Sequence, residues 1–131
     1  NTLIKRDSVV YAGDEKLHLY VQVNPTTYKV FKSSYNDDGV EVDNVYYDNI
    51  VNVNIYRGTS RIFGRDFRKE DFEGQVPHEF LKQAILSDIV LKKVDTDGLH
   101  YRVVLAMPDS SMSYQVEIII SLEGKMTIKK S

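Results

Sequence analysis

Apolar side chains fall on every second position through residues 99–107, 112–122 and 125–129. This two-residue beat marks strands with one buried face, because successive side chains on a strand point to opposite sides. The beat recurs earlier in the chain. Residues 16–24 place Leu17, Leu19, Val21 and Val23 on one face. Asn24-Pro25 is expected to end that strand, since proline removes a ladder donor and restricts the residue before it. Residues 27–35 predict a second strand, and Asn36-Asp37-Asp38-Gly39 predicts a turn. Residues 47–56 place Val51, Val53 and Ile55 on one face, with Asn52, Asn54 and Tyr56 on the other. Gly58 interrupts this run, and residues 60–67 resume extended character.

Residues 77–87 carry the one helical pattern. Phe80, Leu81, Ala84 and Ile85 form an apolar stripe, with Lys82, Gln83 and Ser87 outside it. Pro77 suits the first helical position, and Glu79 suits the positive helix end. Leu86 and Ile89 are expected near the border of the stripe. Residues 89–94 then lead into Asp95-Thr96-Asp97-Gly98, a hairpin signal. Further turns are expected at Pro108-Asp109-Ser110-Ser111 and at Glu123-Gly124. The prediction is a mainly β, formally α+β, single domain with about eight antiparallel strands, one packed helix and a C-terminal meander. One short helix cannot cover so many strands, so the sheet must curl, form a half-barrel or split into two layers.

In the closing meander, Met112, Tyr114, Val116, Ile118, Ile120 and Leu122 share a face that is assigned to the core. Glu117 faces the other way, since an unpaired buried carboxylate would cost several kcal/mol. Ile119 is the misfit on that polar face. Either it is covered there, or it belongs to an exposed apolar patch that receives a partner. With Val104 and Ala106 on the face of His100 and Arg102, the Val104/Ile119 end is expected to be covered and the His100/Glu117 end wet.

The chain has 131 residues, 42% of them hydrophobic, which suffices for one core. Seventeen basic and 19 acidic residues give a net charge of −2, which argues against general nucleic-acid binding. There is no cysteine, so disulfides, thiolate metal sites and a cysteine nucleophile are excluded. No apolar run reaches the roughly 18 residues of a membrane-spanning helix. The opening at Asn1, without methionine, is what a processed or truncated product would show.

Candidate chemistry is sparse. Asp37, Asp38, Glu41, Asp43 and Asp48 suggest calcium, but with Gly39 as the sixth loop position the first and twelfth are Ser34 and Val45, so a solvated hairpin loop fits better. His18, His78 and His100 lack the close-spaced partners of a zinc site; His18 and His100 would meet only if their strands paired. Folding is therefore expected to need no metal, and no cofactor is implied. No serine sits in a nucleophile elbow. Arg57, Arg61, Arg65, Arg68 and Lys69, interleaved with Phe63 and Phe67, form a mixed-charge edge diluted by Asp66, Glu70, Asp71 and Glu73. Nine tyrosines exceed what a core needs and suit a recognition surface as well as strands. Tyr46, Tyr47 and Tyr56 are the candidates for such a binding face, with Ile119 beside them as the apolar misfit.

Tyr47-Asp48-Asn49 through Val53-Asn54-Ile55, then Ile62-Phe63, Asp71-Phe72, the run from Glu79 to Leu86, Pro108-Asp109-Ser110 and Glu123-Gly124-Lys125 together resemble a family of uncharacterised small lipoproteins of Bacteroidetes bacteria. The resemblance covers most of the chain and carries no activity or site residue with it. It implies export and lipid attachment through an N-terminal cysteine absent from this segment, which would be the body behind the anchor. It places the protein in the cell envelope, in the periplasm or at the outer membrane, or outside the cell. Asp7-Ser8-Val9 is similar to the short acceptor pattern for O-linked sugars on exported proteins of those bacteria; the exposed start of a strand accounts for it equally.

The expectation is a non-enzymatic envelope domain that binds a partner protein, a glycan or a small apolar ligand, with membrane contact only through the lipid anchor. The alternatives are a hydrolase with a carboxylate pair assembled from distant strands, which only proximity in space would reveal, and a structural or inhibitory module with an unpaired sheet edge.

Overall fold

A computed structural model describes residues 2–130. β1 (Ile4–Ala12), β2 (Glu15–Tyr35), β3 (Glu41–Arg57) and β4 (Ser60–Phe67) form a four-stranded antiparallel sheet in chain order. A 3-10 turn (Lys69–Phe72) and helix α1 (His78–Gln83) lead into a second such sheet, again in chain order: β5 (Ile85–Asp95), β6 (Gly98–Ala106), β7 (Ser113–Ile120) and β8 (Met126–Lys130). The predicted mainly β architecture of eight antiparallel strands is present as two four-stranded sheets, without barrel closure. None of the described helices is long and apolar enough to cross a membrane.

The apolar faces of the sheets share one core. Leu17, Leu19, Val21, Val23, Val51, Val53 and Ile55 of the first sheet join Leu99, Tyr101, Val103, Leu105, Val116, Ile118 and Ile120 of the second. Phe67 and Phe72 stack within it, their ring centroids 5.8 Å apart. The hydroxyl of Tyr101 is buried without a hydrogen-bond partner, and burial pushes its pKa up.

Among the described residues no strand pairing joins the sheets, so the free edge of β5 must find other partners for its main chain. Side chains of the first sheet supply them. Asp48 Oδ1 accepts the Leu86 N–H at 2.8 Å and the Asn49 N–H at 2.8 Å. Asn49 Nδ2 donates to the Leu86 carbonyl at 2.9 Å. Arg6 straps the other side, donating to both carboxylate oxygens of Asp88, at 2.7 and 3.0 Å, and to the Ile89 carbonyl at 3.0 Å. Asp48 and Asn49 are both buried. Desolvation raises the Asp48 pKa, opposed by its two backbone hydrogen bonds and by Lys69 nearby.

This clasp corrects the predicted helix. Phe80, Leu81 and Ala84 are buried as expected, but α1 ends at Gln83 and Ile85 begins a strand opposite Ala106. Lys69 Nζ takes the Leu81 and Ala84 carbonyls, both at 2.9 Å, and Leu86 is held by the Asp48–Asn49 pair. Those tertiary bonds outweigh the local helical period.

Pro25 does not end a strand either. β2 runs through it, with a register shift between Pro25 and Lys29. Thr26 fills the gap: its hydroxyl donates to the Asp48 carbonyl at 2.7 Å and accepts the Tyr28 N–H at 3.1 Å. Beyond this bulge β2 and β3 continue as a two-stranded arm, Lys29 to Tyr35 pairing with Tyr47 to Glu41. Lys32 Nζ braces the arm on the Pro108 carbonyl at 2.7 Å. The edge strand β1 has no counterpart in the sequence-based outline beyond an exposed strand start at Asp7-Ser8-Val9.

The inner face of β7 begins later than expected. Val116, Ile118 and Ile120 are buried, but Met112 and Tyr114 are 52% and 39% exposed, because they reach past the core; Tyr114 packs on Phe80 at 4.5 Å. On the outer face the expected covered and wet ends are also misplaced. The register sets Ile119 opposite His100 and Val104 opposite Gln115. His100 and Ile119 are buried together while Gln115 is exposed. Ile119 is therefore covered and presents no open apolar patch.

Two outcomes check this account. Asp48→Ala, which strands the Leu86 and Asn49 N–H groups, lowers unfolding free energy by about 2–4 kcal/mol in denaturant titrations, whereas Asp48→Asn keeps the acceptor and costs less. A raised folded-state pKa means that protonation of Asp48 favours the fold, a gain present at acid pH and lost as pH rises through that pKa. The stability of Asp48→Asn relative to wild type is accordingly greater at pH 7 than at pH 4. In the same assay Phe80→Ala costs about 3–5 kcal/mol, and exposed Lys82→Ala less than about 0.5 kcal/mol.

Candidate functional site

The outward side chains of the first sheet line up in rows across the strands. One row runs Lys5, Gln22, Asn52, Asp66; the next Asp7, Tyr20, Asn54, Gly64; the third Val9, His18, Tyr56, Arg61. The β1, β2 and β3 members of these rows, Val9 excepted, line a trough of about 760 Å³ with Gly58 and Thr59 at one end. The rows exist because β2 and β3 alternate, sending valine, leucine and isoleucine inward and amides, tyrosines and His18 outward.

Hydrogen bonds hold the amides. Gln22 Nε2 donates to Asn24 Oδ1 at 2.7 Å, and Asn52 Nδ2 donates to Asp66 Oδ1 at 2.8 Å. Asn54 Nδ2 donates to Asn52 Oδ1. Tyr20 and Tyr56 meet edge to face, centroids 5.8 Å apart and planes at 84°. A bulge at Ile62 lets Arg61 lie over Gly64, its Nη1 3.5 Å from Asn54 Oδ1. A Cβ at position 64 would stand 2.7 Å from Asn54 Oδ1 and 2.8 Å from Arg61 Nη1, so glycine makes that approach feasible. The trough thus offers two aromatic surfaces and several amides that each both donate and accept.

Of the tyrosines singled out from sequence, Tyr56 lies in this trough. Tyr46 and Tyr47 do not join it; they sit in the arm, ten and nine residues back from Tyr56 along β3, about 30 Å of strand. The Tyr46 hydroxyl donates to the Asp109 carboxylate, and that bond raises its pKa. Tyr47 shares an exposed arm face with Phe31, Val45 and Tyr35. Tyr20, Gln22, Asn52 and Asn54 were legible only as polar strand positions; their grouping depends on register, which no local pattern carries.

The other sequence candidates disperse. Arg57 pairs with Glu15 at 2.9 Å, Arg65 with Asp71 at 3.0 Å, and Arg68 lies over the Tyr28 ring at 5.1 Å. In the acidic stretch, Asn36 Oδ1 accepts the Asp38 and Val40 N–H groups to close the turn, Asp43 accepts the Ser33 hydroxyl, and Asp48 is buried in the clasp. His18 and His100 lie in different sheets, and His78 opens α1. Among the described residues one group of carboxylates and histidine has metal-ligand proximity: Asp95, Asp97 and His100. Sequence reasoning saw only a turn there, because the histidine follows the hairpin and no zinc spacing marks it.

No curated protein matches the chain. Residues 1–128 match the model of the family described as a domain of unknown function, DUF4738. The chain, folded as two four-stranded meanders around one core, belongs to that uncharacterised family.

Proposed function

We propose that this chain is a non-enzymatic binding domain whose outer trough takes a saccharide. The observation that carries the reading is the alternation of tyrosines and amides on two neighbouring strands, β2 and β3, along one trough. A sugar ring presents a face of C–H groups and a rim of hydroxyls. Tyr20 and Tyr56 suit the face; Gln22, Asn52 and Asn54 suit the rim, since each amide matches a hydroxyl as donor and as acceptor. The resemblance to small lipoproteins supports placing this domain in a bacterial cell envelope, held by a lipid anchor outside this segment.

A hydrolase fits the trough less well. Its lining holds one carboxylate, Asp7 on β1; Asp66 on β4 lies outside it, three strand spacings away, about 14 Å of sheet. Glycosidase pairs stand about 5–9.5 Å apart. The carboxyl group with a raised pKa, Asp48, is buried in the clasp and away from the trough. A partner protein is the second reading, favoured by the arm, where Phe31, Val45, Tyr35 and Tyr47 are all exposed on one face.

The test is a titration of the 15N-labelled chain with linear hexasaccharides of glucose, of xylose and of N-acetylglucosamine. At least one moves the amide signals of Tyr20, Gln22, Asn52, Asn54 and Tyr56 and leaves the arm unmoved. Tyr20→Ala weakens that binding by about tenfold or more, about 1.4 kcal/mol, while lowering stability by less than about 1 kcal/mol because the ring is 42% exposed. Unmoved trough signals with all three sugars would reject the saccharide.

A further inference from the structure

We propose that Asp95, Asp97 and His100 form a binding site for a divalent transition-metal ion of the Zn²⁺ type. The three donor atoms lie within 4.8 Å of one another, two from the β5–β6 turn and one from the outer face of β6. His100 is 4% exposed, held at the covered end of that face beside Ile119, and Asp95 and Asp97 are exposed, which leaves an entry path. Its two ring nitrogens are engaged differently. Nδ1 lies 3.2 Å from Glu117 Oε2, and Nε2 lies 2.8 Å from Asp95 Oδ1.

Both ring nitrogens of His100 thus face carboxylates, one at the hairpin and one on β7. A metal ion uses the whole set: Nε2 and the two carboxylates as ligands, with Glu117 fixing tautomer and ring orientation from outside, as carboxylates behind metal-bound histidines do. Three protein ligands leave positions open for water. An imidazole nitrogen beside carboxylates favours zinc-like ions over Ca²⁺ or Mg²⁺, which take all-oxygen sets. Two features set the affinity. Asp95 Oδ1 also accepts the Asp97 N–H at 2.9 Å, and Lys93 Nζ stands 3.6 Å from Asp95 Oδ2, a local cation that the metal must outcompete.

The turn geometry does not depend on the ion. Gly98, with φ +126°, brings the chain so close to β7 that a Cβ would lie 2.2 Å from the Ile120 carbonyl oxygen. The hairpin is thus locked by backbone packing, and the core is complete beneath it.

The experiment is calorimetric titration of the untagged chain with ZnCl₂ at pH 7.5, repeated with CaCl₂ and followed by imidazole 15N spectra. One Zn²⁺ binds per chain, the His100 signals change to the Nε2-ligated form, and Ca²⁺ binds far more weakly. Asp97→Ala, in an exposed turn, leaves the melting temperature of the metal-free chain unchanged and weakens Zn²⁺ by at least about tenfold; Glu117→Gln weakens it by about 10–100-fold by releasing the ring. The proposal is overturned if the wild-type chain takes up no Zn²⁺, if Asp97→Ala binds Zn²⁺ as tightly as wild type, or if Ca²⁺ binds equally well.

Discussion

The capture of Leu86 by Asp48 and Asn49 is the contact on which the two-sheet arrangement turns. Two antiparallel meanders that share no ladder would ordinarily leave the first strand of the second sheet with an open edge. Here the Leu86 amide and carbonyl are both satisfied by side chains from β3, and the Ile89 carbonyl by Arg6 from β1. A carboxylate is buried to do this, against a desolvation penalty that two N–H donors and a nearby lysine reduce. The penalty is tolerated because the alternative is worse: orphaned main-chain groups beside an apolar core.

That clasp has consequences on either side. Upstream, it ends α1 after one and a half turns and pulls Ile85 into a strand, while Lys69 takes the carbonyls the helix leaves open. On the opposite strand, the Asp48 carbonyl receives the Thr26 hydroxyl, which carries β2 past Pro25 and on into the arm. One short segment of β3 therefore joins the sheets, bends the longest strand and anchors the base of the arm.

With the apolar faces turned inward against each other, both outer faces stay open to solvent, and they differ. The outer face of the first sheet is organised: tyrosines and amides in register, bonded to one another around a trough. The outer face of the second is covered at one end, where the β5–β6 hairpin and Glu117 enclose His100 over Ile119. A fold with two solvated faces separates the place where a polymeric ligand can lie flat from the place where an ion can be held by a turn.

The sequence by itself determined the strands, their inner faces and the absence of thiol chemistry. Alternation is a property of neighbouring residues, so Val51, Val53 and Ile55, or Val116, Ile118 and Ile120, declare their buried side without reference to anything distant. Phe80, Leu81 and Ala84 declared theirs in the same way. What only the tertiary structure decided was everything that depends on register or on long-range bonds. Ile119 lies opposite His100 rather than beside Val104 because β6 and β7 run antiparallel with one particular offset. Tyr56 meets Tyr20, and Asp95 and Asp97 meet His100, because of pairings and a turn whose partners are not adjacent in the pattern. The end of α1 and the passage through Pro25 were settled by hydrogen bonds between groups more than 10 residues apart, which local propensity cannot foresee. Local periodicity encodes which face is buried; the distant hydrogen bonds and offsets that place one face against another belong to the assembled chain.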